Sequence, residues 1–298
     1  MSNHVDEELL AQFSLSRALV LQWTVVSIIG FLISVGGFLV LYVLVTGDET
    51  ALVGSLGVGI EEVWWWNLAL SVVALVAVMA LVIVPHELCH GLVMKAFGGH
   101  PRYGIGVAYV VFPYAFATTE TRFTRNQFLV IALAPLVVLT LAGVPVMILF
   151  EWPWLAVPLA LNAGGAVGDV WMALVLLSYP AEVTVLDSTT GLEIYGAPGL
   201  DRWDTAPATV VWDLLVGFAG GVLIVALTVG VLVPFVLAAV GAGSVLLGIP
   251  DSPLYIFEFS RTPNGVEFSA GPGIVIIGAI IGLLYGYIRS GQHRNVVP

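Results

Sequence analysis

Six long apolar runs alternate with polar connections along this chain of 298 residues. Each run has enough residues to cross the hydrocarbon core of a bilayer, which takes about 20 residues in a helix. The longer runs must tilt or project into water. The pattern predicts six transmembrane helices, called spans one to six here, over about 17–46, 66–97, 127–150, 154–178, 209–241 and 272–289.

Three connections have a β-like pattern. Residues 103–117 are rich in Val, Tyr and Phe and contain glycines, which predicts a strand pair or a re-entrant hairpin. Residues 181–195 and 254–270 predict two further hairpins, the second turning at Pro263-Asn264-Gly265. The predicted fold class is therefore an all-α polytopic membrane protein with short β-hairpin or re-entrant connections. We expect one membrane domain over 1–298.

Composition supports a membrane protein. Hydrophobic residues make up 59% of the chain and charged residues 10%, with a mean hydropathy of +1.03. A soluble domain carries about 25% charged residues. The net charge of -11 is opposite to that of a nucleic-acid-binding protein, so we expect a lipid bilayer and no nucleic acid as a partner. The single cysteine, Cys89, excludes an intramolecular disulfide, and the acidic first residues predict no cleavable signal peptide.

Charge in the connections predicts the orientation. Basic residues follow span two and flank both ends of the membrane region, whereas the connection 47–65 holds only acidic ones. The positive-inside rule then places both termini in the cytoplasm of a multi-pass cell-membrane protein. The residues concerned are Lys95, Arg102, Arg122, Arg125, Arg17, Arg289 and Arg294 on the basic side, and Asp48, Glu49, Glu61 and Glu62 on the acidic side.

Span two contains an H-E-x-x-H motif, His86 to His90. Residues four apart lie on one face of a helix, so the two imidazoles can hold one zinc ion. Glu87 projects beside them, where it can act as general base towards a water molecule activated at the metal. Ionisable groups are costly inside a membrane and are seldom found there without a functional partner. Cys89 occupies a position that is not a ligand position and is expected to be a small buried filler.

A catalytic zinc site needs a third protein ligand. Asp169 in span four is the first candidate, and Asn162 lies seven residues earlier on the same predicted helix face. Gly164, Gly165 and Gly168 would let span four approach span two closely. Asn162 could form an interhelical hydrogen bond or orient a substrate carbonyl, and both readings stay open. The rival third ligands are His100, Glu151, Glu182 and Asp213.

With these residues placed, the chain resembles the zincin peptidase family of site-2-protease-like intramembrane zinc metalloproteases. The resemblance lies in Pro85 to Gly91, in Ala134-Pro135, and in Asn162 to Asp169, and covers about 70–195. The extended segment near Asp187 and Tyr195 is also similar. By this resemblance the metalloprotease core covers about 66–195. The family pattern places Gly-Gly after the aspartate, whereas Val170-Trp171 stand here.

The resemblance implies that His86, His90 and Asp169 bind zinc and that Glu87 activates water. The expected function is that of a zinc-dependent intramembrane endopeptidase acting on a membrane protein or peptide. The alternative is a membrane transporter or metal-handling protein that uses the same His and Asp side chains as ion ligands. That alternative leaves the glutamate after the first histidine without a role. No oligomeric state is predicted.

Overall fold

The computed structural model describes residues 7–50, 65–108, 112–188, 191–200, 207–262 and 265–294. The chain divides into two compact units, of which the first ends at Trp203 and the second starts at Asp204. The prediction of one membrane domain over 1–298 stays a prediction. The described residues are mostly helical and also form three antiparallel sheets.

Long helices dominate the first unit. Pro135 and Pro145 lie inside the third of them, and Pro85 inside the second. A one-turn 3₁₀ helix, Pro153–Leu155, leads into the fourth. The helices are α1 (Arg17–Thr46), α2 (Trp65–Ala96), α3 (Arg125–Leu149), α4 (Ala156–Gly165) and α5 (Val167–Leu176).

Local signals set the helix ends. The Ser16 hydroxyl accepts a hydrogen bond from the Leu19 amide at the start of α1, and Gly47 ends that helix with a left-handed φ of 74°. At the start of α3, Thr124 and Gln127 satisfy each other's backbone amides in a capping box. These signals lie at the membrane boundaries that hydropathy predicts.

The six predicted spans are confirmed as helices that are long and apolar enough to cross a membrane. They start and end within a few residues of the predicted bounds. Four belong to the first unit and two to the second. Large apolar side chains stay exposed along them, for example Leu44 at 77% and Leu149 at 79%, as expected for surfaces that face lipid.

Two sheets accompany the helices of the first unit. One has the strand order β1 (Glu8–Phe13), β6 (Gly191–Gly196), β5 (Thr184–Ser188) and β4 (Phe123–Thr124). The other pairs β2 (Arg102–Ala108) with β3 (Phe112–Thr118). The predicted hairpins at 103–117 and 181–195 are therefore present, although residues 109–111 and 189–190 lie outside the described residues. The all-α class is too narrow, because β1 and β6, which are far apart in the sequence of the first unit, pair in a sheet.

Buried apolar residues fasten the four-stranded sheet to the helix ends. Val185 and Ile194 face each other across β5 and β6, and neither is exposed to solvent. They pack with residues at the ends of α2, α3 and α5. This cluster holds in one place the helices that carry the candidate site: Met94, Phe123, Phe128, Ile131, Ala132, Val175, Leu176, Tyr179, Val183, Val185, Leu192 and Ile194.

The second unit is built on two helices that contact through glycine. A Cβ atom added at Gly221 would lie 2.3 Å from the Gly278 carbonyl oxygen, and one at Gly217 would lie 2.2 Å from that of Gly282. The two backbones therefore touch, as small residues allow in membranes. The elements are α6 (Pro207–Leu227), a π-helical stretch (Thr228–Leu232), α7 (Val233–Ala239), β7 (Ser244–Leu247), β8 (Phe257–Thr262), β9 (Gly265–Ala270) and α8 (Gly273–Arg294).

The predicted hairpin at 254–270 corresponds to β8 and β9. Residues 263–264 of its turn lie outside the described residues. Asp213 in α6 is buried, and its carboxylate lies 3.2 Å from the Arg289 guanidinium of α8. This ion pair gives the buried carboxylate a charged partner within the second unit.

Candidate metal centre

The two histidines of the motif lie one helical turn apart on α2 and face the interior of the first unit. His86 is 9% exposed and His90 is 8% exposed. Their ring centroids are 5.0 Å apart. The spacing of four residues thus places both imidazoles on one face, as the sequence predicts.

Asp169 reaches the same point from α5. One carboxylate oxygen lies 3.1 Å from Nε2 of His86, and the other lies 3.4 Å from Nε2 of His90. The aspartate is 8% exposed. Among the described residues, these three side chains form the group whose ligand atoms lie close enough together to hold a metal ion.

A proline in α3 prepares the orientation of His90. The Nδ1 atom of His90 lies 2.8 Å from the Ile131 carbonyl oxygen. In a regular helix that carbonyl would accept from the amide four residues later, but residue 135 is a proline and has no N–H group. The carbonyl is thus left for the imidazole. Because Nδ1–H donates there, Nε2 carries the lone pair that faces Asp169.

Asn162 orients the imidazole of His86. Its side-chain oxygen lies 2.9 Å from Nδ1 of His86, and its amide nitrogen donates to the Pro135 carbonyl oxygen at 3.2 Å. Both polar ends of this buried side chain are engaged within the protein. Nδ1–H of His86 can donate to the amide oxygen, so Nε2 of His86 also presents its lone pair to the centre of the group.

The donor set fits zinc. Two imidazoles and one carboxylate are ligands that zinc accepts, and bonds of about 2.0–2.1 Å in a tetrahedron separate neighbouring ligand atoms by roughly 3.3 Å. The two nitrogen–oxygen distances of 3.1 and 3.4 Å lie at that separation. A three-residue set leaves one tetrahedral position for a reactant, as catalytic zinc sites require.

A cavity of about 480 Å³ opens beside the three side chains. Glu87 lines it, and the Glu87 carboxyl lies against the backbone of Ala117 in β3. Most of the wall is apolar. It is formed by α1, α2, α3, α5 and β3, and its large members are Trp23, Ile28, Met94, Phe116, Phe128 and Met172.

A further carboxylate, Asp187, lines the same cavity from β5. Side chains two apart on a strand share a face, so Asp187 points the same way as the buried Val185. Burial raises the pKa of the Asp187 carboxyl to about 7, and the nearby carboxylates of Asp169 and Glu87 raise it further while His90 opposes them. This residue lies outside the candidate spans.

The rival third ligands lie elsewhere. His100 is exposed, and its backbone amide donates to the Thr119 hydroxyl. Glu151 and Glu182 are exposed, and Asp213 pairs with Arg289. Among the described residues, none of these joins the His86 group, and neither does Cys89.

The glycines of span four do not have the expected neighbour. Gly164 contacts Ser27 and Phe31 of α1, and Gly168 contacts Trp23. The side chains of Asn162 and Asp169 reach α2, but the close backbone approach that these two glycines allow is to α1. It brings the α1 side chains Trp23 and Thr24 into the cavity wall.

Two features of the site have only faint signals in the sequence. Pro135 was noted as part of a family pattern, but the carbonyl that it frees belongs to Ile131, which carries no polar side chain. Asp187 follows the buried Val183 and Val185 at alternate positions of a short extended segment. A carboxylate in an inward position of such an alternation is the signal that could have identified it.

Comparison with known proteins bears on this part of the chain. Residues 79–184 match the model of a family described as "Putative zincin peptidase". An "Uncharacterized 24.7 kDa protein in gap 5'region" of Pyrococcus woesei is 28% identical over 153 residues, which is 48% of this chain and 67% of that protein. No solved structure matches the chain. The matched range contains His86, Glu87, His90, Asn162 and Asp169, and it supports a zincin-like family for this chain.

Proposed function

We propose that this protein is a zinc-dependent intramembrane endopeptidase that hydrolyses peptide bonds of membrane-associated substrates. One observation carries the proposal. The two histidines of an H-E-x-x-H helix, the buried Asp169 and the intervening Glu87 border one cavity inside a set of membrane-spanning helices. The similarity to zincin peptidases supports the same reaction class.

His86, His90 and Asp169 would hold the metal. A zinc ion bound there would supply Lewis acidity to the scissile carbonyl and to the attacking water. Asn162 and the Ile131 carbonyl keep the two imidazoles in the tautomer that offers Nε2 to the metal. Asn162 is thus a positioning residue in this proposal.

Glu87 acts as the general base. Its carboxylate borders the cavity beside the metal group, so it can take a proton from water and pass it to the leaving amine. The largely apolar wall keeps bulk water away and strengthens each electrostatic contact inside.

The strand β3 offers a way to hold a substrate. It pairs with β2 along one edge, and Ala115, Phe116 and Ala117 line the cavity. An unwound peptide could add to the other edge by backbone hydrogen bonds, as extended peptides do on exposed sheet edges. Such pairing would put a peptide bond of the substrate beside Glu87, whose carboxyl contacts the Ala117 backbone.

The test replaces Glu87 with Gln in the full-length protein, reconstituted in vesicles with candidate membrane substrates. Gln has nearly the same size but cannot accept the proton, so we expect cleavage to fall by about 10²–10⁴-fold while bound zinc stays at the wild-type amount. Glu182→Gln, an equal charge change at an exposed position, serves as the control and keeps full activity.

Two results would contradict the proposal. One is undiminished cleavage by Glu87→Gln, and the other is undiminished cleavage by chelated wild type. Zinc flux across vesicles that survives in Glu87→Gln, without any cleavage by wild type, would favour the transporter instead.

A further inference from the structure

Asp187 is the charged group of the cavity that the proposed reaction does not use. Asp169 contacts both histidines, and Glu87 contacts the Ala117 backbone. Among the described residues, no hydrogen bond or ion pair reaches the Asp187 carboxylate. The Asp187 side chain is partly exposed to the cavity. In a largely apolar wall its charged form is costly, and a cationic ligand would stabilise that form.

The charge of the cavity indicates the kind of ligand. Its described wall contains three carboxylates, two histidines and no lysine or arginine. A zinc ion would balance two of the three negative charges. The third carboxyl group, that of Asp187, has no lysine or arginine in the described wall to pair with, and a bound cation would favour its charged form.

The composition of the wall suits a long cationic side chain. Phe116, Phe128 and Met94 supply apolar surface in the same wall as Asp187. Lysine and arginine bury their aliphatic stems along such surface while their charged heads reach a polar partner. An arginine can also contact a carboxylate through two parallel hydrogen bonds.

The backbone places Asp187 beside the strand that would hold a substrate. The Thr118 hydroxyl at the end of β3 donates a hydrogen bond to the Asp187 carbonyl oxygen. The end of β5 is thereby tied to the end of β3. A peptide lying along Ala115 to Ala117 would have side chains near Asp187 within a few residues of the bond at Glu87.

We propose that Asp187 forms a subsite for a lysine or arginine side chain of the substrate, close to the scissile bond. The inference rests on the proposed peptidase function and adds a substrate class to it. It assigns Asp187 a role in specificity rather than in the chemical step.

The experiment measures cleavage and binding separately. Each peptide of a series carries one arginine, at a different position in each peptide. At the same position, a matched peptide carries citrulline, which has nearly the same shape as arginine but no charge. Cleavage is measured with full-length, zinc-loaded wild type, Asp187→Asn, Asp187→Glu and Glu182→Gln in lipid nanodiscs. Binding of the same labelled peptides is measured by fluorescence anisotropy in a Glu87→Gln background. Zinc content and a single elution peak verify that each variant is folded.

We expect wild type to prefer the best arginine peptide over its citrulline match by about tenfold or more in kcat/KM and in binding. Asp187→Asn should bring this ratio to within about twofold of one, whereas Asp187→Glu and Glu182→Gln should keep a preference. Metal-dependent cleavage with no arginine preference, or a preference unchanged in Asp187→Asn, overturns the subsite and leaves the peptidase standing. Asp187-dependent binding without cleavage supports the subsite and overturns the peptidase. If wild type shows no cleavage and no selective binding, both the subsite and the peptidase function are overturned.

Discussion

Each imidazole of the candidate centre has two ring nitrogens with different tasks. Nδ1 of His86 and Nδ1 of His90 bond to an amide oxygen and to a backbone carbonyl, and both Nε2 atoms face Asp169. These bonds fix the tautomers by groups that would not touch a metal. Such outer partners hold the ligands in the orientation that a metal needs and contribute to its affinity.

Asp169→Ala should weaken zinc binding more than Asn162→Ala. The first change removes a proposed ligand, whereas the second removes a group that orients His86 and should cost about 10–100-fold in affinity. Competition with a chromogenic chelator measures both dissociation constants. Ser178→Ala is a suitable control, because that buried residue follows α5 and its hydroxyl donates to the Leu174 carbonyl of the helix at 3.1 Å. Equal losses for Asp169→Ala and Asn162→Ala would mean that the aspartate does not coordinate the metal.

Only those parts of the candidate site that depend on side-chain type could be predicted from the sequence. His86, Glu87 and His90 follow from helical periodicity, and Asp169 follows from the rarity of charge in an apolar span. The role of the Ile131 carbonyl could not be predicted in this way. Every residue has a backbone carbonyl, and residue type does not indicate which one a histidine contacts. The role of Asn162 stayed open for a related reason. Which partner an amide meets depends on the packing of three helices.

At the scale of elements, proline matters to the candidate site through what it removes. Pro135 withdraws one amide from α3, and His90 takes the carbonyl that this leaves. Pro85 immediately precedes the motif on α2, but the contacts to the two histidines come from α3, α4 and α5. The helix that presents the ligands is thus not the helix that orients them.

Pro135→Ala should lower zinc affinity by about tenfold, the smaller end of what outer partners contribute, because the restored amide competes with His90 for the Ile131 carbonyl. The helix itself should lose no stability, since it regains an internal hydrogen bond. Pro145→Ala makes the same change ten residues further along α3, at an exposed position, and should leave zinc affinity unchanged. Identical zinc affinity in Pro135→Ala and wild type would refute this role for the proline.

Glycine contacts between α6 and α8 give a second prediction at this scale. Gly221→Ala places a methyl group 2.3 Å from the Gly278 carbonyl oxygen and should destabilise the second unit by about 1–3 kcal/mol. A methyl group at the adjacent Gly220 meets no atom within 4 Å, so Gly220→Ala should be neutral or slightly stabilising. Unfolding titrations in mixed micelles measure the difference. Equal stabilities for the two variants would show that the two backbones do not touch.

Helices and strands were not equally accessible to prediction. A transmembrane helix satisfies its own backbone, so its position follows from local hydropathy alone. The three hairpins were also found, because each forms between neighbours in sequence. By contrast, β4 and β7 are short, and β1 and β4 pair with distant strands, as in the β1–β6 pairing of Glu8 with Gly196. Local pattern carries no information about such partners.

At the scale of the whole molecule, orientation in the membrane decides where the cavity opens. The candidate centre lies towards the C-terminal end of α2, near the connection rich in basic residues. From the positive-inside rule we predict that this connection and both termini lie in the cytoplasm. A substrate would then meet the cavity from the cytoplasmic half of the bilayer.

Cysteine labelling tests this orientation. In a Cys89→Ser background, single cysteines at Ser2 and Val297 should resist a membrane-impermeant reagent in intact cells and react after permeabilisation. A cysteine at Ser55, in the acidic connection, should react without permeabilisation. Labelling of either terminal position from outside would refute the predicted topology.

The bond between His90 and the Ile131 carbonyl also bears on how such a site can change during evolution. A proline on one helix and a histidine on another are linked through an atom that both share, although neither side chain needs to touch the other. Losing the proline alone returns the carbonyl to its helix, and losing the histidine alone leaves a buried acceptor without a donor. The loss of His90 should therefore cost more folding stability while Pro135 is present than after the proline has been replaced, so the two substitutions are not additive in stability. A lineage that gave up the proposed metal ligand His90 would also lose the reason to keep Pro135.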